Sequence, residues 1–325
     1  MRRRSESRWA FLLAALAAFV LVIAGCGDEV GGTGSGGSIP ADALKGKSIT
    51  VGSKDSTEQK VLGQITIQVL KAAGAKVKDQ TGLVGSVAAR NALTSGDIDM
   101  YWEYTGGAWL NYLKETKPIP DARKQYQAVA DRDLKENKIR WLDPAPSNNT
   151  YGFAVKSQSY EKLGVKKLSD FGVLVAQRPG QASVCVSESF STRKDGLPGV
   201  EKTYGFKFKK VVKIDEGMIY SETNKGTGLG GSCNFGEVFI TDGRLSANNL
   251  RVIEDDKAFF PKYNPALNVR EEVFKANPQL QQLFSPIAAK LDNKELQDLN
   301  AQVDVEGLPD DIVVQEWLKD EGFIG

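Results

Sequence analysis

Apolar and polar residues alternate along this chain with two periods, and each period predicts a different element. Residues 47–52 alternate and carry β-branched side chains, which is typical of a half-buried strand. Residues 56–59 form a Ser-Thr-Glu-Gln capping box, and the apolar residues after them recur at helical spacing until Gly74. A strand, a short loop and a capped helix are the opening of an α/β unit.

The same alternation continues to the C-terminus and indicates an α/β fold. Residues 187–199 have no periodicity and are predicted to form a loop. Further helices are predicted at 86–95, 122–138, 293–299 and 310–319, with another opening at Asn277. Further strands are predicted within 96–107 and at 152–155, 172–176, 183–186, 209–214, 237–241 and 250–254.

Two proline-containing segments interrupt the alternation. Pro144 and Pro146 exclude a helix from 141–155 and favour an extended chain there. Pro261 and Pro265, beside several aromatic residues, mark a second such segment. The roughly 285 residues after the N-terminal region are enough for two α/β lobes, so we interpret these segments as two crossings between lobes.

The stretch 96–107, GDIDMYWEYTGG, combines a short predicted strand with three aromatic residues and a turn. Tyr101, Trp102 and Tyr104 would arrive at the carboxyl end of that strand, where ligands bind in open α/β sheets. Ring faces held there would attract a compact cation. The alternative is that the three rings are core residues beside a turn.

A lysine follows the first predicted strand. Lys54 lies in a loop at the carboxyl end of that strand, beside the N-terminus of the predicted helix. It could meet a ligand carboxylate there. The alternative is an ordinary solvated surface lysine.

The first residues carry targeting information. Four arginines precede an apolar run that ends in a small-small-Cys sequence at Cys26, which is typical of a lipoprotein signal peptide at 1–25 with an acylated cysteine after it. The alternative is a transmembrane anchor, for which the run is short. The Gly/Ser-rich residues that follow predict a flexible tether.

Composition excludes some partners. Removal of 1–25 leaves 38 basic and 40 acidic residues of the original 42 and 41. This near-neutral balance gives no reason to expect nucleic-acid binding. Cys185 and Cys233 remain as a pair in an oxidising compartment, and a disulfide is the economical interpretation. Two buried free thiols are the alternative; a metal site is disfavoured because the chain has no histidine.

Several ordered motifs resemble one known family. They are 52–54 (GSK), 57–59 (TEQ), 104–106 (YTG), 148–151 (NNTY), 193–196 (RKDG), 241–244 (TDGR) and the C-terminal 299–304 (LNAQVD) with Trp317-Leu318. Together they are similar to the glycine betaine/choline-binding proteins of osmoprotectant ABC transporters, over about residues 46 to 325. The resemblance implies an α/β, two-lobe periplasmic-binding-protein-like fold (type II) with two interlobe crossings.

The resemblance also implies a site for a quaternary ammonium ligand. Its aromatic walls would be Tyr104, Tyr151, Tyr220 and Phe239. Its polar end would be held by Lys54, Asn149 and Arg193. Because Lys54 and Arg193 would together bind a carboxylate, we expect glycine betaine to bind more tightly than choline.

The domain organisation follows from these assignments. We expect a signal peptide at 1–25, a lipidated Cys26 and tether at 26–45, a first lobe at 46–148 plus 250–325, and a second lobe at 149–249. The protein would be a monomer on the extracytoplasmic face of the cell membrane, held by its lipid anchor. Its partners would be the ligand and an ABC transporter permease, with no cofactor and no metal.

Two other functions remain as alternatives. The same fold could bind an amino acid or another small zwitterion. A secreted hydrolase would need a nucleophile with its base, and the chain offers no histidine and no G-x-S-x-G sequence. We therefore expect that the protein is not an enzyme.

Overall fold

Two five-stranded mixed sheets organise the part of the chain that the computed structural model describes, residues 37–192 and 196–325. The first sheet has the order β2-β1-β3-β10-β4 and the second has the order β7-β6-β8-β5-β9. The strands are β1 (Ser48–Lys54), β2 (Lys76–Leu83), β3 (Met100–Tyr104), β4 (Ile139–Pro144), β5 (Tyr151–Lys156), β6 (Ser183–Val186), β7 (Lys210–Lys213), β8 (Phe235–Phe239), β9 (Leu250–Ile253) and β10 (Pro265–Arg270).

Helices cover both sheets. They are α1 (Thr57–Ala72), α2 (Ser86–Ser95), α3 (Thr105–Gly107), α4 (Ala122–Asn137), α5 (Ser157–Leu163), α6 (Phe171–Gln177), α7 (Glu188–Thr192), α8 (Leu197–Tyr204), α9 (Glu216–Lys225), α10 (Arg244–Ala247), α11 (Glu271–Ala276), α12 (Leu280–Lys290), α13 (Asn293–Asp304) and α14 (Asp310–Asp320). Short 3-10 turns lie at Leu168–Asp170, Pro179–Gln181 and Thr227–Leu229, and α3 continues into a π-helix at Ala108–Tyr112.

The chain passes between the sheets twice. It leaves the first sheet after β4 and enters the second at β5, and it returns between β9 and β10. These are the two proline-containing crossings predicted from the sequence. The return comes after Ile253 and not at residue 249, because Leu250–Ile253 pairs antiparallel with β5 in the second sheet.

Each sheet has its own apolar core. In the first, α1 buries Leu62 and Ile65 and the C-terminal helices bury Phe284 and Trp317 in the same cluster as Trp102 of β3. In the second, a cluster of phenylalanines fills the space between β5, β8 and the helices: Phe153, Phe171, Phe190, Phe206, Phe208, Phe235 and Phe260. Separate apolar clusters therefore hold the two sheets, and smaller clusters add to this packing.

Several predicted elements differ in the structure. Residues 172–176 were expected to form a strand but lie in α6, because Leu168, Phe171 and Leu174 are buried at intervals of three while Val173 is exposed. The predicted loop at 187–199 contains α7 and the start of α8. The predicted strand at 237–241 begins two residues earlier, as β8.

The expected pairing of Cys185 and Cys233 is confirmed. The two residues form a disulfide with their Cα atoms 5.6 Å apart, and both are fully buried. The bridge joins β6 to the segment that enters β8, so it lies within the second sheet. Within the described residues, none of the helices combines the length and the apolar character needed to cross a lipid bilayer.

Candidate functional site

A cleft of about 760 Å³ lies where strand ends of the two sheets meet. Lys54 and Tyr104 reach it from the ends of β1 and β3, and Tyr151 and Phe239 reach it from β5 and β8. Its other lining residues include Glu58, Glu103, Tyr112, Asn149, Asp242, Arg244, Tyr263 and Asn300. This position, outside the ends of the strands, is where α/β sheets bind ligands.

Two of the wall aromatics are paired by strand register. Tyr151 lies opposite Phe239 in the antiparallel pair of β5 and β8, and their ring centroids are 4.7 Å apart. Phe190 lies behind, with its ring centroid 5.2 Å from that of Tyr151. Tyr151 and Phe239 are both half-buried, so each ring is supported by its neighbours and still borders the cleft.

The three aromatic residues of β3 lie in different environments. Tyr101 and Trp102 are almost fully buried, and the Trp102 indole donates to the Thr66 hydroxyl at 2.9 Å. For these two the interpretation as core residues is correct. Tyr104 lines the cleft, and the residues after it continue into α3, where a turn was predicted.

Lys54 is held by a buried carboxylate. Its Nζ lies 2.5 Å from Oε1 of Glu103 on the neighbouring strand and 4.9 Å from the centroid of the Tyr104 ring. The Glu103 side chain is 1% exposed and also accepts hydrogen bonds from the hydroxyls of Tyr101 (2.7 Å) and Tyr112 (3.1 Å). The charge of Lys54 is therefore already compensated inside the protein.

Glu58, in the first turn of α1, is the buried polar centre of the cleft. Its carboxylate accepts hydrogen bonds from the Tyr104 hydroxyl (2.6 Å), Asn149 Nδ2 (2.9 Å) and Asn300 Nδ2 (3.2 Å). Burial raises the pKa of the Glu58 carboxyl above its ordinary value, while hydrogen bonds, including one from Thr241, oppose the rise. Within residues 37–192 and 196–325, no Lys or Arg forms an ion pair with it.

The role of Glu58 was not predicted from the sequence. Residues 56–59 were predicted to form a capping box, but Ser56 makes no side-chain capping bond in the structure. The carboxylate instead turns toward β3 and α13. A carboxylate in the first turn of a helix is ordinarily explained by the helix dipole, so the periodicity gave no signal for the cleft. The motif 57–59 did contain Glu58, but it assigned no role to the carboxylate.

Asn149, which the resemblance implied for the polar end of the ligand, is one of the cleft residues. It follows the first crossing, lines the cleft, and donates to Glu58 through its Nδ2. Its Oδ1 is buried and has no hydrogen-bond partner among the described residues. A buried amide oxygen without a partner is costly, so this atom is available to a donor that enters the cleft.

Tyr220 does not lie where it was expected. Its ring is 1% exposed, packs with Ala154, Val238 and Leu245, and does not line the cleft. The reason is its position on the face of α9 that packs against the second sheet. Its hydroxyl donates to Asp242 at 2.8 Å, so it supports a wall residue and is not itself a wall.

Other residues of the site were not predicted. Arg244 forms a two-point ion pair with Asp242, with Nε to Oδ1 at 2.9 Å and Nη2 to Oδ2 at 2.5 Å. Tyr112 and Tyr263 add two further rings to the lining. Asp242 and Arg244 belong to the motif 241–244, so the sequence did single them out. Nothing in the periodicity distinguished the two tyrosines from other aromatic residues. Arg193 and Cys26 lie outside the described residues.

The chain is similar to known proteins over most of its length. The family model described as the substrate binding domain of ABC-type glycine betaine transport system matches residues 47–320. The chain is 35% identical to the glycine-betaine-binding protein of Pseudomonas aeruginosa, over 89% of this chain and 92% of that one. It is also 35% identical to the glycine betaine-binding protein YehZ of Escherichia coli, over 88% and 94% of the two chains.

Solved structures show the same fold. The structure of apo YehZ from Escherichia coli superposes with a TM-score of 0.76 at 34% identity, covering 85% of this chain and 99% of that one. A glycine betaine/carnitine/choline ABC transporter structure superposes with a TM-score of 0.78 at 26% identity, with the same coverage.

Proposed function

The chain belongs to the family of substrate-binding domains of ABC-type glycine betaine transport systems, and on that premise we propose that it captures a quaternary ammonium solute in the cleft. It then delivers that solute to the permease of an importer. Glycine betaine, the solute named for its relatives, and choline are the reference members of this ligand class.

The observation that carries this proposal is the set of rings that both sheets bring to one cleft. Tyr104 comes from the first sheet, and Tyr151 and Phe239 come from the second. A trimethylammonium group has no N–H to donate, so it is recognised by shape and by ring faces. Each ring contributes about 0.5 to 2 kcal/mol when the cation is desolvated.

With polar contacts added, these ring contributions are large enough to account for micromolar binding. Three rings, together with polar contacts, can supply the roughly 8 kcal/mol of micromolar binding after the cost of ordering the site. We propose that the two sheets close on the ligand as two lobes, with the boundary at the crossings. The rings then surround the cation from both sides.

The polar contacts follow from the site as described. Asn149 has an acceptor oxygen for a ligand hydroxyl. A ligand carboxylate would have to share Lys54 with Glu103, and Arg193 completes the set expected from the resemblance. The site performs no reaction in this proposal: its buried carboxylates, Glu58 and Glu103, hold neighbouring side chains.

The cellular setting completes the proposal. Cys26 carries the lipid anchor, and the protein acts as a monomer on the extracytoplasmic face. The buried disulfide supports an oxidising compartment. Growth with a radiolabelled fatty acid should label the wild type and not the Cys26→Ser variant; equal labelling of both would contradict the anchor.

Calorimetric titration tests the function. Choline, glycine betaine and carnitine should bind, whereas glycine should not, since it differs from glycine betaine only in its three methyl groups. Maltose provides a control for unspecific solute effects. If glycine binds and the methylated compounds do not, the amino-acid alternative is correct and the quaternary ammonium proposal is wrong.

A further inference from the structure

Among the described residues that line the cleft, acidic residues outnumber basic ones. Among the described residues that line it, six are acidic: Asp55, Glu58, Glu103, Glu216, Asp242 and Asp304. Two are basic, Lys54 and Arg244. A cleft lined mainly by one sign of charge attracts ligands of the opposite sign.

Both basic residues are already paired. Lys54 lies on Glu103 at 2.5 Å, and Arg244 makes its two-point contact with Asp242. No other ion pair to a cleft-lining acid occurs in the described ranges 37–192 and 196–325. Four acidic residues therefore remain without a cationic partner there.

Glu58 differs from the other three because it is buried. It is 6% exposed, and its carboxylate is surrounded by neutral donors from β3, the first crossing, the segment after β8, and α13. Burial of a carboxylate without a cation is costly even when hydrogen bonds partly replace water. A cation that enters the cleft would remove part of that cost.

We propose that Glu58 is the counter-charge of the bound ammonium group, and that the cleft prefers net-cationic quaternary ammonium alcohols such as choline to zwitterionic betaines. This inference rests on the proposed function and reverses the preference expected from the sequence. The hydrogen bond from the Tyr104 hydroxyl to Glu58, at 2.6 Å, also increases the electron density of that ring and strengthens its attraction for the cation.

A zwitterion gains less from the same cleft. The carboxylate of glycine betaine would enter a field set by the unpaired acids, and the charge of Lys54 that would meet it is already shared with Glu103. A choline hydroxyl has no charge to compensate. It can donate to the unpartnered Oδ1 of Asn149.

Titration calorimetry on the full-length chain tests the inference with three ligands. They are choline, glycine betaine and 3,3-dimethylbutan-1-ol. The last is the neutral analogue of choline in which carbon replaces nitrogen. We expect choline to bind about tenfold more tightly than glycine betaine, and the neutral analogue to bind at least tenfold more weakly than choline. The variant Glu58→Gln should lose about tenfold in choline affinity and little in glycine betaine affinity.

A matched control isolates the position of the charge. Glu316→Gln removes the same charge from the exposed face of α14, outside the cleft, and should leave choline affinity unchanged. If Glu58→Gln does not fold, the comparison of choline with glycine betaine on the wild type decides whether the cleft prefers the cationic ligand.

The outcomes separate the two proposals. Glycine betaine bound as tightly as choline, or a neutral analogue bound as tightly as choline, overturns the role of Glu58 and leaves the proposed function in place. Failure of every methylated ammonium compound to bind overturns the proposed function, and the inference with it.

Discussion

A buried carboxylate without a cationic partner should destabilise the ligand-free protein. We expect Glu58→Gln to raise the free energy of unfolding at neutral pH when no ligand is present. The substitution keeps the shape of the side chain and removes its charge. Glu58 is 6% exposed and has no ion pair within the described residues, so the charge that is removed is an uncompensated one.

The magnitude follows from the direction of the pKa shift. Burial raises the pKa of Glu58 above its ordinary value, and each unit of such a shift corresponds to about 1.4 kcal/mol of folding stability. A change of 1 kcal/mol moves the melting temperature of a protein of this size by about 2 to 4 °C. Loss of hydrogen bonds should be limited, because the Asn149 amide can turn its unpartnered Oδ1 toward the new Nε2.

The sign of the pH dependence is fixed by the same shift. An acid whose pKa is raised in the folded state holds its proton more tightly there than in the unfolded chain, so it destabilises the protein above its folded-state pKa. This cost disappears as the pH falls below the ordinary value of 4.5. The groups that face Glu58 do not titrate in this window; Tyr104 alone among them is ionisable, and burial raises its pKa well above the ordinary value.

Differential scanning calorimetry between pH 4.5 and 8 provides the assay. The melting temperature of Glu58→Gln should exceed that of the wild type at pH 8, and the difference should shrink toward pH 4.5. Glu316→Gln should show no such trend. A variant that melts below the wild type by the same amount at every pH would refute the reasoning, since it would show that lost hydrogen bonds outweigh the removed charge.

Further outcomes concern the ring wall, the buried ion pair and the disulfide. Phe239→Leu should weaken choline binding by about twofold to thirtyfold, since it removes a ring face of about 0.5 to 2 kcal/mol, and unchanged calorimetric affinity would exclude Phe239 from the wall. Lys54→Met leaves Glu103 buried without its cation and should lower the folding stability by about 3 to 5 kcal/mol. Lys60→Met, on the exposed face of α1, should lower it little, and equal melting temperatures of the two variants would contradict the importance of the ion pair. Reduction of the Cys185–Cys233 bridge, which spans 48 residues, should remove about 4 kcal/mol of stability, and a melting temperature that does not respond to reductant would contradict this.

The sequence was most informative where an element buries one regular face. β1, α2 and α4 were predicted within two residues, and β3 was placed inside 96–107, because their apolar side chains recur with a single period. β2 was missed because its sequence, KVKDQTGL, is polar and it forms an edge of the first sheet. Its strand character comes from pairing with β1 and leaves little trace in its own composition.

The same distinction applies to the site. The resemblance implied Tyr104, Tyr151 and Phe239 as wall residues, all three line the cleft, and strand register then explains why two of the rings touch. Tyr220 could not be separated from a wall residue by sequence, because an aromatic residue on a helix looks the same whether its face meets a sheet or a cleft. Glu58 was overlooked for the opposite reason, since a local explanation for an acid in a first helical turn was already sufficient.

The hydrogen bonds around Glu58 have a consequence for the ligand affinity of variants. Asn300 donates both to Glu58, beside the first sheet, and to the Thr241 carbonyl, which follows a strand of the second. We expect the two sheets to share one conformational equilibrium through these bonds, so that a ligand bound at Glu58 shifts the population of the closed form. Substitutions at Asn300 would then change apparent affinity by altering how often the cleft is competent to bind, while the contacts of the bound solute remain the same.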